Sequence, residues 1–344
     1  MLNLDDLPSI PIYENVTYDS FREEIYPLGR PAILKGYVSD WPIVKAASKS
    51  TQHVSDYLKA RDTHKPVPIM HGPEDIEGQF FYSDDLQGLN FTKVLNSLSK
   101  TLDEIEGNPS GAVYIQSVPT SDILSGYDTE NPLDIVDSSV GSRIWIGNKL
   151  TVQTHFDLSE NIACVVAGRR RFTLFPPNQI KNLYIGPFEK TLAGPPISMV
   201  KLNDIDHEKY PNFSEALEHG MSAELAAGDA IYIPYFWWHH VQSLEEFNIL
   251  VNYWWSDMEP DLGSPYDALL HALISFRGMP ERQRKVWQDV FAHLVFQENG
   301  DAAAHLPKDS QGVLGEHTPQ QRQHMRKNLV RALAYQAGIV PQAR

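Results

Sequence analysis

The chain between residues 112 and 255 is cut into eight short β-favouring runs. They are Ala112–Gln116, Ser142–Ile146, Leu150–His155, Ile162–Ala167, Arg171–Phe175, Ala230–Pro234, His239–Ser243 and Phe247–Trp255. Gly, Pro, Asn and Asp separate them, with Gly147-Asn148 and Gly228-Asp229 as turn pairs. Strands of this number and length predict a jelly roll or a related double-sheet barrel.

The flanks have a different texture. Before the runs, Pro31–Leu34 reads as a short strand ending at Gly36, and Ser50–Ala60 reads as a helix. Phe91–Ile105 reads as a second helix, on apolar residues at Phe91, Val94, Leu95, Leu98, Leu102 and Ile105. Met70–Leu89 is rich in Gly and Asp and reads as loop with a short strand at Phe80–Tyr82. After Trp255, Pro265–Gln297 and Thr318–Ala337 are helical in pattern, and Ser264-Pro265 and Thr318-Pro319 resemble an N-cap followed by proline. The expected fold is therefore mainly β with flanking helices. Its parts are an N-terminal α/β support (1–110), a β-barrel core (111–258) and a C-terminal helical appendage (259–344). The terminal helices can pack on the barrel or on a second subunit, the latter giving a homodimer.

Composition narrows the partners. Twenty-nine basic against 44 acidic residues leave a net charge of −15, which repels phosphate backbones and anionic lipid. Nucleic acid and membrane surfaces are thus not expected partners. The N-terminal MLNLDDLPSI has no basic, then apolar, leader pattern, and no apolar run reaches the length of a membrane span. Cys164 is the sole cysteine, so no intrachain disulfide forms, and its apolar surroundings read as core. A cytoplasmic setting is the expectation.

One constellation carries chemistry. His155 and Asp157 stand two apart at the end of a strand-like run, so an extended chain turns both to one face. A second histidine arrives from Tyr235-Phe236-Trp237-Trp238-His239-His240. Two histidines and a carboxylate on one face leave three cis coordination positions open, the arrangement of non-haem Fe(II) oxygen chemistry. His-x-Asp alone is a weak signal. It gains from the all-β context and from four of the seven tryptophans falling between 237 and 255, enough to wall a site.

The run from His155 through AsnIleAlaCysValValAlaGlyArgArgArgPheThrLeuPheProPro to TrpTrpHisHis and AsnTyrTrpTrp resembles the JmjC family. More narrowly, it resembles the cupin-like branch that includes the asparaginyl hydroxylase of hypoxia-inducible factor. The likeness is strongest over 142–256 and implies a double-stranded β-helix core that binds Fe(II) and the cosubstrate 2-oxoglutarate. It implies metal ligands at His155, Asp157 and His239, with His240 turned away into a structural or surface role. It implies a basic anchor for the cosubstrate two residues after Gly168, which is Arg170 here where relatives often carry lysine; Arg169 and Arg171 then face solvent. Tyr114, Asn161, Asn252 and Trp254 match positions beside the cosubstrate and the metal, and Gln116 and Trp237 match positions near the substrate. The two amides would be satisfied by a cosubstrate carboxylate or metal-bound water. Thr151 is left out of the site.

The activity so implied is hydroxylation of a protein or peptide side chain, or of a small molecule, with release of succinate and CO2. A zinc cluster is not expected of a chain with a single cysteine, and no chromatin-reading module is evident, so hydroxylation is preferred to demethylation of histone type. Two other readings stay open: a cupin-type metal dioxygenase or isomerase that does not use 2-oxoglutarate, and a non-catalytic β-barrel binding module.

Overall fold

The computed structural model describes residues 4–188 and 194–339. Its strands are β1 (Ile12–Glu14), β2 (Ala32–Lys35), β3 (Pro66–Gly72), β4 (Thr92–Ser97), β5 (Ala112–Pro119), β6 (Ser142–Gly147) and β7 (Thr151–His155). There follow β8 (Glu160–Ala167), β9 (Arg169–Phe175), β10 (Met221–Ala226), β11 (Ala230–Ile233), β12 (Trp238–Ser243) and β13 (Asn248–Trp255). Nine of them form one sheet in the order β1-β2-β11-β8-β13-β6-β5-β3-β4, and four form a second in the order β10-β9-β12-β7. This is the double sheet that the eight runs predict, and each run lies on a strand.

Alternation along the strands sorts the core into two layers. On β8, Ala163 and Val165 join an inner cluster with Phe172 and Leu174 of β9 and Val241 of β12, which closes the space between the sheets. Ile162, Cys164 and Val166 point the other way, into an outer cluster with Val54 and Leu58 of the helix Thr51–Lys59 and Leu98 and Leu102 of the helix Leu98–Glu106. Both faces of β8 are covered, which is why its sequence is continuously apolar. Cys164 is fully buried on the outer side, and desolvation pushes its thiol far above the ordinary range. On β9 the same alternation turns Arg170 inward. Arg169 and Arg171 face out, where Arg169 meets Glu245 at 2.7 Å and Arg171 meets Glu224 at 2.8 Å.

Some expectations fail, each for a physical reason. The first half of the expected helix Phe91–Ile105 is β4, because Thr92–Ser97 pairs with β3 in register Met70↔Lys93 and Pro66↔Ser97. Val94 and Leu95 stay exposed there, and Ser97 caps the helix Leu98–Glu106 by accepting from the backbone N–H of Lys100. Phe80–Tyr82 forms no strand, only an isolated bridge from Tyr82 to Leu89. The expected helix Pro265–Gln297 breaks at Pro280 into Pro265–Phe276 and Glu281–Leu294, since proline cannot continue the hydrogen-bond ladder. β10, with its helix-favouring Ala, Glu and Leu, escaped the pattern. It forms by pairing with β9, which sets Glu224 opposite Arg171.

The chain divides into two compact units, Met1–Ser256 and Asp257–Arg344. In the second, Ser264 and Thr318 cap their helices as expected, and Thr318 forms a capping box with Gln321. Arg322 joins the helix Pro319–Gln336 to Asp261 at 2.8 Å and to Glu259. Phe276, Trp287 and Phe291 pack together in tilted and edge-to-face contacts between the two shorter helices.

The turn between β8 and β9 sets the parity of Arg170, and Gly168 makes it at φ +75°. A Cβ at that position would strike Asn248 Oδ1 and lie 2.8 Å from the Phe247 carbonyl oxygen. Gly168→Ala is therefore expected to cost about 1–3 kcal/mol, measured as a lower urea midpoint at unchanged m-value.

Candidate active site

β7 and β12 pair antiparallel with His155 directly opposite His239, and their ring centroids lie 4.2 Å apart. Asp157 follows His155 by two residues, just past the end of β7, and shares its side. Its Oδ2 is 3.5 Å from His239 Nε2. One potential ligand atom from each of the three side chains lies within 4.8 Å of the others. Among the described residues no other group of three His, Cys, Asp or Glu side chains converges this way.

The backbone chooses the tautomers. His155 Nδ1 lies 2.7 Å from the carbonyl oxygen of Gln153, and His239 Nδ1 lies 2.9 Å from that of Trp237. A carbonyl only accepts, so Nδ1 carries the proton in both rings and Nε2 keeps its lone pair for a metal. Burial, and then the neighbouring His155, push His239 down to about 4, while Asp157 and the Trp237 carbonyl oppose the shift. His239 is therefore neutral at neutral pH, as ligation requires. The Trp254 indole N–H donates to Asp157 Oδ2 at 3.1 Å and holds the carboxylate in place.

A recess of about 40 Å³ runs inward from the triad to Arg170. That side chain is 1 % exposed, and its Nε and Nη2 have no hydrogen-bond partner. Burial lowers its pKa, with the neighbouring Tyr114 hydroxyl opposing; the Tyr114 phenol is itself raised by burial. A guanidinium buried without a carboxylate costs several kcal/mol, so the recess is built for an anion. Asn161 and Asn252 also line it, but they satisfy each other in part. Asn252 Nδ2 donates to Asn161 Oδ1 at 3.1 Å and the Trp145 indole donates to Asn252 Oδ1 at 2.7 Å. The expectation that a cosubstrate or water alone supplies their partners is replaced by this network.

A second, outer cavity of about 330 Å³ adjoins His155 and Asp157 of the triad. Gln116 lines it, as expected of a residue near the substrate. Trp237 lines neither cavity; its indole donates to the Gly29 carbonyl at 3.1 Å within the inner core. His240 does turn away, yet it is buried and not at the surface, and burial pushes it down to about 3. Reading the sequence missed Gln153, Thr151, Arg143, Lys93 and Trp145, all of which line the outer cavity. The signal for two of them was present. Thr151 and Gln153 are even steps from His155 on one strand and so share its face, which corrects the exclusion of Thr151.

The two depressed histidines set an acid limit on the metal-free protein. Both are neutral when folded but return to about 6.5 when unfolded, so below that value the unfolded chain binds more protons. Their contribution is whole above pH 6.5 and is lost as pH falls toward about 4 for His239 and about 3 for His240. Melting temperature of the metal-free protein should fall between pH 6.5 and 5, above most carboxylate titration, and His240→Gln should flatten that slope. Equal slopes would refute this assignment.

Residues 18–261 match the family model described as a cupin-like domain. The tRNA wybutosine-synthesizing protein 5 of Gallus gallus is 27% identical over 271 residues, covering 72% of this chain and 77% of that protein. The bifunctional peptidase and (3S)-lysyl hydroxylase JMJD7 of Homo sapiens is 26% identical over 306 residues, covering 80% and 90%. The lysine-specific demethylase JMJ30 of Arabidopsis thaliana is 28% identical over 251 residues, covering 70% and 53%. With the double sheet and the His-Asp-His geometry in place, the chain belongs to the cupin-like domain family and, with its JmjC-type relatives, is an oxygenase.

Proposed function

We propose that the protein is an Fe(II)- and 2-oxoglutarate-dependent hydroxylase. His155 Nε2, Asp157 and His239 Nε2 hold the metal, and Arg170 with the Tyr114 hydroxyl holds the far carboxylate of the cosubstrate. Bound together, Fe(II) and 2-oxoglutarate supply an O2-driven oxidation that hydroxylates a C–H bond and releases succinate and CO2. The protein's own residues position and shield. Trp254 fixes Asp157, the Asn161–Asn252–Trp145 network stiffens the wall, and Gln116 faces the substrate side. Residues 111–258 form the catalytic core on this reading, with 1–110 in support.

The observation that carries the reading is the buried Arg170 beside the triad, with donors left unpaired. A cupin-type enzyme that does not use a 2-oxo acid has no need of it, nor does a non-catalytic binding module. Arginine can grip a carboxylate through two parallel N–H bonds where lysine offers a point charge. The relatives' names refer to tRNA, to lysyl hydroxylation and to lysine demethylation, which supports a macromolecular substrate. For this chain, with its net charge of −15, we infer a protein or peptide before a nucleic acid. Among the described residues no helix is long and apolar enough to cross a membrane. With a single buried cysteine, this fits action in the reducing cytoplasm.

Anaerobic calorimetry with Fe(II) and 2-oxoglutarate tests the assignment. Arg170→Gln should weaken 2-oxoglutarate binding about 10- to 100-fold, the effect of hydrogen bonds to a charged group, and leave metal affinity unchanged. Asp157→Ala should lose the metal. Wild-type protein that binds neither ligand, or an Arg170→Gln variant of unaltered 2-oxoglutarate affinity, would remove the basis of the reading.

We further infer a homodimer through the C-terminal helices. The helices Pro265–Phe276, Glu281–Leu294 and Pro319–Gln336 contain no buried residue, and Ile274, Val286, Leu329 and Val330 are exposed. Sedimentation equilibrium should give twice the 38.9 kDa chain mass, and Ile274→Glu with Val330→Glu should return it to one. A monomeric wild type refutes the pairing.

A further inference from the structure

The outer cavity holds three features that neither metal nor cosubstrate binding uses. Gln153 is 1 % exposed and lines it, yet both Oε1 and Nε2 are buried without a partner. Arg143 lines the same cavity and pairs with no carboxylate among the described residues. Its Nε donates to Ser117 Oγ at 2.8 Å and its Nη2 to the Ser117 carbonyl at 2.6 Å. Lys93, on exposed β4, also faces the cavity without an acidic partner among the described residues. The one carboxylate among the described lining residues is Asp157, which belongs to the triad.

Several other cations of this acidic chain do meet carboxylates, among them Lys35 with Asp229, Lys59 with Asp103 and Arg61 with Glu130. Two unmatched cations on one small cavity make a local positive field inside a molecule of net charge −15. The strand geometry is arranged to create it. β5 bulges between Ile115 and Val118, and Ser117 sits at φ +53°. Arg143 grips that bulge from β6 and so is held at the cavity wall.

Gln153 narrows the ligand further. A buried carboxamide with both ends unpaired calls for a group that donates and accepts side by side. A peptide amide does both, whereas a phosphate only accepts and would leave Oε1 unsatisfied. We propose that the outer cavity binds an acidic residue of a peptide substrate, its carboxylate facing Arg143 and Lys93 and an adjoining amide group paired with Gln153. The assignment rests on the hydroxylase reading only in taking this residue, or its neighbour, as the one presented to the triad.

The test uses the full chain and blocked single residues as probes: the N-acetyl N-methylamides of Asp and Glu, with those of Asn, Gln and Lys. Ligand-observed NMR measures their affinities without and with Mn(II) and 2-oxoglutarate. Acidic probes should bind about tenfold more tightly than their amides, the effect of one hydrogen bond to a charged group. Lys93→Gln, on an exposed edge strand, and Arg143→Gln should each shrink that preference, and Arg143→Lys should keep part of it. Gln153→Leu should weaken acidic and neutral probes alike. Arg170→Gln should weaken cosubstrate binding and spare the acid preference, which separates failure of this proposal from failure of the hydroxylase reading. Equal affinity for acidic and neutral probes overturns the proposal. So does Arg143-dependent binding of a short single-stranded RNA in their place.

Discussion

The pairing of β7 with β12 is the contact on which the site depends. It sets His155 opposite His239, and each strand uses its own carbonyl two residues back to fix the ring above it. No distant residue is needed to choose the tautomer or aim Nε2. The ladder that makes the sheet also brings the two histidines together, so the precision of the cluster is inherited from strand register. A bulge between His239 and Val241 shifts the register by one residue beyond the histidine pair, where Val241 faces Val152. Asp157 lies outside the ladder and needs a separate restraint, which Trp254 supplies from β13 of the other sheet.

Around that pair the chain alternates two kinds of polarity. Outer surfaces match cation to anion, as Arg169 and Arg171 do with Glu224 and Glu245. The two cavities leave cations without a carboxylate among the described residues: the buried Arg170 at the end of the recess, and the half-buried Arg143 and exposed Lys93 on the outer cavity. Burying a lone guanidinium is unfavourable for folding, and a protein that retains one carries that cost for a ligand. The deep position and the outer positions are thus two demands for negative charge on either side of the His155–Asp157–His239 cluster.

Much of this was legible from residues alone, because it follows from alternation. Short punctuated runs gave the double sheet and the two-residue step gave His155 with Asp157, whereas Arg170 was placed by the family resemblance, counted from Gly168. What escaped depends on pairing between distant segments. Thr92–Ser97 carries an apolar spacing that fits a helix, but β3 captures it as a strand whose apolar side chains stay exposed. β10 has no strand signature and exists because β9 offers a free edge and a facing arginine. Arg143 could not be placed in a cavity without the β5 bulge, which no local pattern announces. Gln153 could have been found, since it steps evenly to His155, but an amide among ligands attracts no attention until its empty surroundings are seen.

The position of Cys164 has a consequence for durability. It is the chain's sole thiol, and it lies on the outer face of β8 while its neighbours Ala163 and Val165 face the inner layer. The sheet itself therefore stands between the site of oxidation and the side chain most easily damaged by it, and burial keeps the sulfur protonated and unreactive. On the proposed chemistry, an oxidant that misfires meets Met70 on the outer cavity before it can meet a thiol. Methionine sulfoxide can be reduced again, so the strand's parity steers self-inflicted damage toward a repairable residue.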